Sequence, residues 1–200
     1  MVVVLAIITA LMTAGISLLS GTGAHSRRAA TDTLIGLIEQ ARTTAINSRT
    51  HVVLAIAEPG DLPTGDERCR VGLFKVAWPH PTPSSVIINE AVLLTRWQTL
   101  NTGIALVPST STTSPPNPIN LPQITINYGG TKTVVVHALT FNPRGGLHFP
   151  SGATPVVLQI SEGAYRNGVA TPNRRGANQT VSENVLKIGR STARPYRIDP

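Results

Sequence analysis

A chain of 200 residues with 4% aromatic content and a net charge of +7 has room for one domain with an aliphatic core and an appendage. Its single cysteine, Cys69, excludes an intrachain disulfide framework, and 17 glycines with 16 prolines imply many turns and few long helices after the first. Nine of the 17 basic residues but three of the ten acidic ones lie from Gly130 onward, so the positive excess is carried by the last third, a pattern suited to nucleic acid, anionic lipid or an acidic partner.

The first element runs from Val2 to Leu19 without a charge. As a helix it is roughly 27 Å long, close to a hydrocarbon core of about 30 Å. Val2, Val3, Val4, Leu5, Ile7, Ile8, Leu11, Ile16, Leu18 and Leu19 form the expected membrane and assembly surface, while Thr9, Thr13 and Ser17 make a stripe of small side chains on which helices approach closely. A secretory signal ending near Gly23-Ala24 is the rival reading, although nothing basic precedes the apolar run. Arg27 and Arg28 on its far side favour the wrong orientation for export of the domain. Both problems are met if the true N-terminus lies upstream of Met1.

An amphipathic half follows. Ala30, Leu34, Leu37, Ile38, Ala41, Ala45 and Ile46 recur at helical steps, with Asp32, Glu39, Arg42, Asn47 and Arg49 on the opposite face. If the helix breaks at Gly21–Gly23, Thr31 or Asp32 serves as its cap. The expected division is therefore 1–24 transmembrane half, 25–50 amphipathic half and 51–200 β-rich domain.

After His51 the chain alternates short apolar runs with turns. Strands are expected at His51–Ala57, Cys69–Trp78, Val86–Thr95 and Gly103–Val107. A hairpin spans Ile124–Tyr128 and Thr133–Thr140 across Gly129-Gly130, and the closing strands are Val156–Ser161, Val185–Ile188 and Tyr196–Ile198. Pro108–Pro122 reads as a surface loop. The fold class is α+β: a long N-terminal helix packed on antiparallel sheets.

Chemistry is sparse. No two of His25, His51, His80, His137 and His148 have metal-ligand spacing, and Cys69 reads as a buried structural thiol. Asp61, Asp66 and Glu67 share a loop that reads as solvated rather than as a calcium site. No phosphate loop precedes a helix and no nucleophile has a base beside it, so the sequence argues against an enzyme, a cofactor and a small-molecule substrate.

The order of features resembles the type IV pilin-like minor pseudopilins of the GspH/FimT kind. The residues concerned are Met1–Ile8, Leu34–Arg42, Thr44–Arg49, His51–Ala57, Trp97–Ile104, Leu139–Gly145 and Asn184–Arg190. The resemblance implies a pilin-like fold, an inner-membrane anchor with the C-terminal domain in the periplasm, and assembly into a type II secretion pseudopilus. Its implied partners are other pseudopilins, the inner-membrane assembly platform and membrane lipid. The family's basic leader, cleavage-site glycine and Phe-Thr-Leu-x-Glu, where processing and methylation occur, are expected upstream of Met1.

A second expectation concerns Arg174, Arg175, Lys187, Arg190, Arg194 and Arg197. FimT-like minor pilins carry a basic C-terminal segment that binds DNA during uptake. Gly189-Arg190 resembles the start of their Gly-Arg-x-Arg motif, with Arg194 two positions late. On strands, residues two apart share a face, so some of these six would line one strip for phosphate. A solvated basic edge is the alternative.

Overall fold

The structure, a computed structural model, describes residues 2–59, 61–62, 68–76, 86–107, 121–166, 169–173 and 183–198; for residues 2–22, 86, 107, 166 and 169 it describes the backbone alone. One helix, α1 (Val2–Ser48), runs unbroken through Gly21–Gly23. The conditional cap at Thr31 or Asp32 is therefore not used. Thr31 lies inside the helix, and its hydroxyl donates to the carbonyl of Arg27 one turn back at 2.8 Å. The helix stops at a Schellman cap. Arg49 adopts φ +50°, Thr50 N–H returns to Ala45 C=O, and Arg49 N–H to Ile46 C=O, both at 3.3 Å.

The amphipathic face falls where the periodicity puts it. Ala30, Leu34, Leu37, Ile38, Ala41 and Ala45 are all buried. Leu34, Leu37 and Ile38 alone stabilise the docking by roughly 1.5–3 kcal/mol each. Ile46 is the exception, 38% exposed. It rests over Gly145, where a Cβ would come 2.8 Å from Ile46 Cδ1.

The first sheet contains β1 (His51–Ala57), β2 (Arg70–Val76), β3 (Val86–Leu93) and the two-residue β4 (Gln98–Thr99). After β5 (Ile104–Val107), which belongs elsewhere, it continues with β6 (Gln123–Tyr128), β7 (Lys132–Phe141) and β8 (Leu147–Phe149). Its pairings close on themselves: β1 with β2, β2 with β3, β3 with β6, β6 with β7, and β7 back to β1. The result is a five-stranded barrel with β4 and β8 as side strands. One step departs from the all-antiparallel expectation, because β3 and β6 run parallel, Val86 opposite Ile124 and Ile88 opposite Ile126. Residues 94–122, including β4 and β5, provide the long connection that a parallel pair requires.

β1 is buried on both sides, which explains its continuous apolar run. Val53, Ala55 and Ala57 point into the barrel with Phe74, Ile126, Val136 and Ala138. Val52, Leu54 and Ile56 point outward under α1, into a second core shared with the other sheet. That sheet is built on β9 (Val156–Arg166), which pairs with β5, β10 (Val169–Pro172) and β11 (Glu183–Ile188); β12 (Pro195–Ile198) lies against β11. The sheets are also joined by a buried polar contact. The Cys69 thiol donates to the Tyr165 hydroxyl at 2.9 Å, and that oxygen accepts the Leu106 N–H at 3.3 Å.

The Trp97–Ile104 segment has a packing role. The Trp97 indole lies 3.1 Å from where a Cβ of Gly72 would stand and meets Phe74 edge to face, centroids 5.6 Å apart.

Candidate assembly and nucleic-acid interfaces

Specific polar contacts hold the described part of the helix to the second sheet. Arg27 Nη1 lies 2.7 Å from Glu162 Oε1 on β9, with the two side chains 15% and 16% exposed. The same carboxylate closes over Gly23, where a Cβ would come 2.6 Å from Glu162 Oε2. One turn on, Asn184 Nδ2 donates to Thr31 Oγ1 at 2.9 Å, and Arg197 donates to Asn184 Oδ1 at 3.2 Å. These contacts fix the rotation and height of α1 on the second sheet. About 32 Å of helix precede Gly23 at the standard rise. The side chains of Val2, Val3, Val4, Leu5, Ile7, Ile8, Leu11, Ile16, Leu18 and Leu19 lie outside the described residues. Among the residues that are described with their side chains, no helix is long and apolar enough to cross a membrane.

Of the basic residues, Arg174 and Arg175 lie outside the described residues. Of the other four, Lys187 and Arg197 fall on opposite faces of the β11–β12 pair. Lys187 is opposite Tyr196 and Arg197 is opposite Leu186. Opposed residues share a face, so Lys187 stands on the outer face while Arg197 lies on the face toward α1, bonded to Asn184. Arg190 and Arg194 sit between β11 and β12. The Arg190 guanidinium donates to the carbonyls of Pro150 and Thr154, and burial lowers its pKa. It pins the 150–154 loop against the turn. Arg194 is exposed. Strand alternation could not foresee this split, because the register puts two of the four in a turn.

One buried polar group escaped the sequence reading. His137, 2% exposed, donates from Nδ1 to the Leu121 carbonyl at 2.7 Å, with Nε2 3.7 Å from Glu58 Oε2. Burial alone would lower its pKa, but Glu58 and the Leu121 carbonyl outweigh it and the net direction is upward. Asp61 caps the same corner by accepting the Glu58 N–H at 2.8 Å. The apolar spelling of β7 hid His137, since a lone histidine in a strand carries no spacing signal. Cys69 is 1% exposed, and burial pushes its thiol up to about 12. A thiol so rarely ionised is inert, as expected of a structural cysteine. Among the described residues no group of three or more His, Cys, Asp or Glu side chains is placed to hold a metal ion.

The family model described as type II transport protein GspH matches residues 30–184. The match opens at Ala30, a fully buried residue of the docked helix half, and ends at Asn184 on β11, short of Lys187, Arg190, Arg194 and Arg197. No curated protein and no solved structure matches the chain.

Proposed function

This chain belongs to the GspH family of type II transport proteins, and from that premise we propose that it is a minor pseudopilin subunit anchored in the inner membrane by Val2–Leu19. Family membership supports a pseudopilin-like, structural role in type II transport, within a pseudopilus and beside other pseudopilins. In the finer reading the β domain stands in the periplasm and the subunit assembles by packing its leading helix half against the same segment of its neighbours. One observation carries this reading: a single unbroken helix whose rear half is built into the domain and whose front half, spelled by an apolar sequence, continues N-terminal to the domain contact described at Gly23. Such a rod exchanges lipid for neighbouring helices at small cost in apolar exposure, with close packing of small side chains as the driving term.

Carbonate extraction of membranes from cells making the full chain tests it. The chain stays with the membrane pellet, and Leu11→Asp together with Ile8→Asp releases it. Recovery of the unaltered chain in the soluble fraction refutes the anchor. DNA binding through the basic end is the weaker reading, because Arg190 and Arg197 are engaged with protein oxygens and Lys187 faces away from Arg197. A mobility shift at low salt that disappears in Arg194→Ala would restore it.

A further inference from the structure

The outer face of the barrel carries an arrangement that the assembly role does not use. Ile88, Ile126, Val134 and Val136 fill the barrel, so strand alternation turns Ile87, Thr125, Asn127, Thr133 and Val135 outward. Ile87 is opposite Thr125 and Thr125 is opposite Val135, which makes one row across β3, β6 and β7. Its aliphatic ends, Ile87 and Val135, are 52% and 43% exposed. The next row is polar. Thr133 Oγ1 donates to Asn127 Oδ1, and Asn127 Nδ2 donates to Asn89 Oδ1, both at 2.8 Å. These bonds fix the three side chains as a ladder, and among the described residues the Asn89 amide hydrogens have no acceptor.

A cavity of about 450 Å³ opens at this ladder, lined also by Glu90, Tyr128, Thr131 and Lys132. Glu90 reaches it through a β-bulge. Ile88 is opposite Ile126 and Ala91 is opposite Tyr128, so β3 has one residue more than β6 here, and Glu90 takes φ +59°. A glutamate held in the left-handed region is strained, and such strain gathers at ligand sites. Among the described residues neither the Glu90 carboxylate nor the Lys132 ammonium is in an ion pair. Tyr128 is braced edge to face on Phe74, centroids 5.2 Å apart. The cavity thus offers amide hydrogens, a carboxylate acceptor and an ammonium donor on a braced surface, with an aliphatic row alongside.

We propose that this face binds a β-linked pyranose oligosaccharide. In such a chain the hydroxyls are equatorial, at the ring edge, and the axial C–H bonds form an apolar face. Hydroxyls both donate and accept, which suits a ladder ending in unspent amide hydrogens beside a carboxylate and an ammonium, and the bonds to the charged groups are the stronger ones. The apolar ring faces cover Ile87 and Val135. Other ligand classes fit less well. An anion meets Glu90 and a cation meets Lys132, while a wholly apolar partner would bury the ladder's amide hydrogens without acceptors.

The test is saturation-transfer NMR of the full chain in a mild, sugar-free detergent, titrated with cellotetraose and in parallel with chitotetraose. The expected result is saturable transfer to at least one of them, with affinity weakened at least about tenfold in Asn89→Ala and in Val135→Ser but unchanged in Gln40→Ala on α1. Binding of either sugar supports the site, and the better ligand shows whether an acetamido group is read. Asn89 and Val135 are exposed, so replacing them opens no core; circular dichroism of each variant checks that the fold is kept. Absence of saturable transfer to both sugars, or wild-type affinity in folded Asn89→Ala, overturns the proposal.

Discussion

The Arg27–Glu162 pair gives the sharpest test of how the helix is held. At 2.7 Å and about one-sixth exposed on each side, it lies between a surface pair, worth about 0–1 kcal/mol, and a fully buried one, whose disruption costs about 3–5 kcal/mol. Glu162→Gln keeps the shape and removes the charge, leaving a charge-assisted hydrogen bond weakened and Arg27 short of its counter-charge. The expected cost is about 2 kcal/mol, or roughly a 30-fold rise in local opening. Because the pair holds this stretch of the helix to β9, the loss falls on residues 23–33 before it reaches the core. Hydrogen exchange read by mass spectrometry on peptides spanning 23–33 measures it directly. A double-mutant cycle with Arg27→Met isolates the pair, with an expected coupling of about 1–2 kcal/mol. Gly23→Ala approaches the same contact from the helix side. Its Cβ would meet the flexible carboxylate at 2.6 Å, so a smaller increase in exchange over the same peptides is expected. Unchanged exchange over 23–33 in Glu162→Gln, with coupling below about 0.5 kcal/mol, would show that the apolar face alone docks the helix.

Two glycines should respond with opposite signs in chemical unfolding. Gly163→Ala drives a Cβ to 2.5 Å from the Thr171 carbonyl oxygen, a backbone atom that yields little, and costs about 1–3 kcal/mol. Gly36→Ala meets nothing within 4 Å and gains about 0.5–1 kcal/mol from helix propensity; equal signs refute the packing argument. The raised pKa of His137 predicts a pH dependence. Its contribution is complete below the unfolded value of about 6.5 and is lost as pH rises through the higher folded value. The stability difference between the native chain and His137→Gln is therefore constant below about pH 6.5 and shrinks as pH rises from there through the higher folded value, and a constant or growing difference over that rise counts against the Glu58 pairing. Cys69, buried and shifted to about 12, resists iodoacetamide in the folded chain and takes one label after denaturation. Rapid native labelling, read by intact mass, would contradict its placement.

The parts of the fold legible in the sequence are those coded locally. Seven consecutive residues, His51–Ala57, spell a strand buried on both faces, and the steps from Ala30 to Ala45 mark the docked helix face. Gly129 and Gly130, at φ +58° and +81°, supply the hairpin turn between β6 and β7. The parallel β3–β6 pairing and the closure of β7 onto β1 join segments far apart in sequence, and no short-range pattern records them. The β9–β10 hairpin was missed although Asn167-Gly168 stands between the paired Arg166 and Val169, a strong two-residue turn signal. Of the candidate sites, the basic segment was visible as composition but not as geometry. Its register, its turn and the acceptors at Pro150, Thr154 and Asn184 are tertiary facts.

The double burial of β1 makes one stave the common wall of two apolar compartments. A void opened at Val53 on one side, or at Leu54 on the other, strains the same seven-residue backbone and so loosens the opposite compartment as well. Barrel and helix layer should therefore melt together in one transition, and neither should persist as a partly ordered remnant once that shared wall gives way.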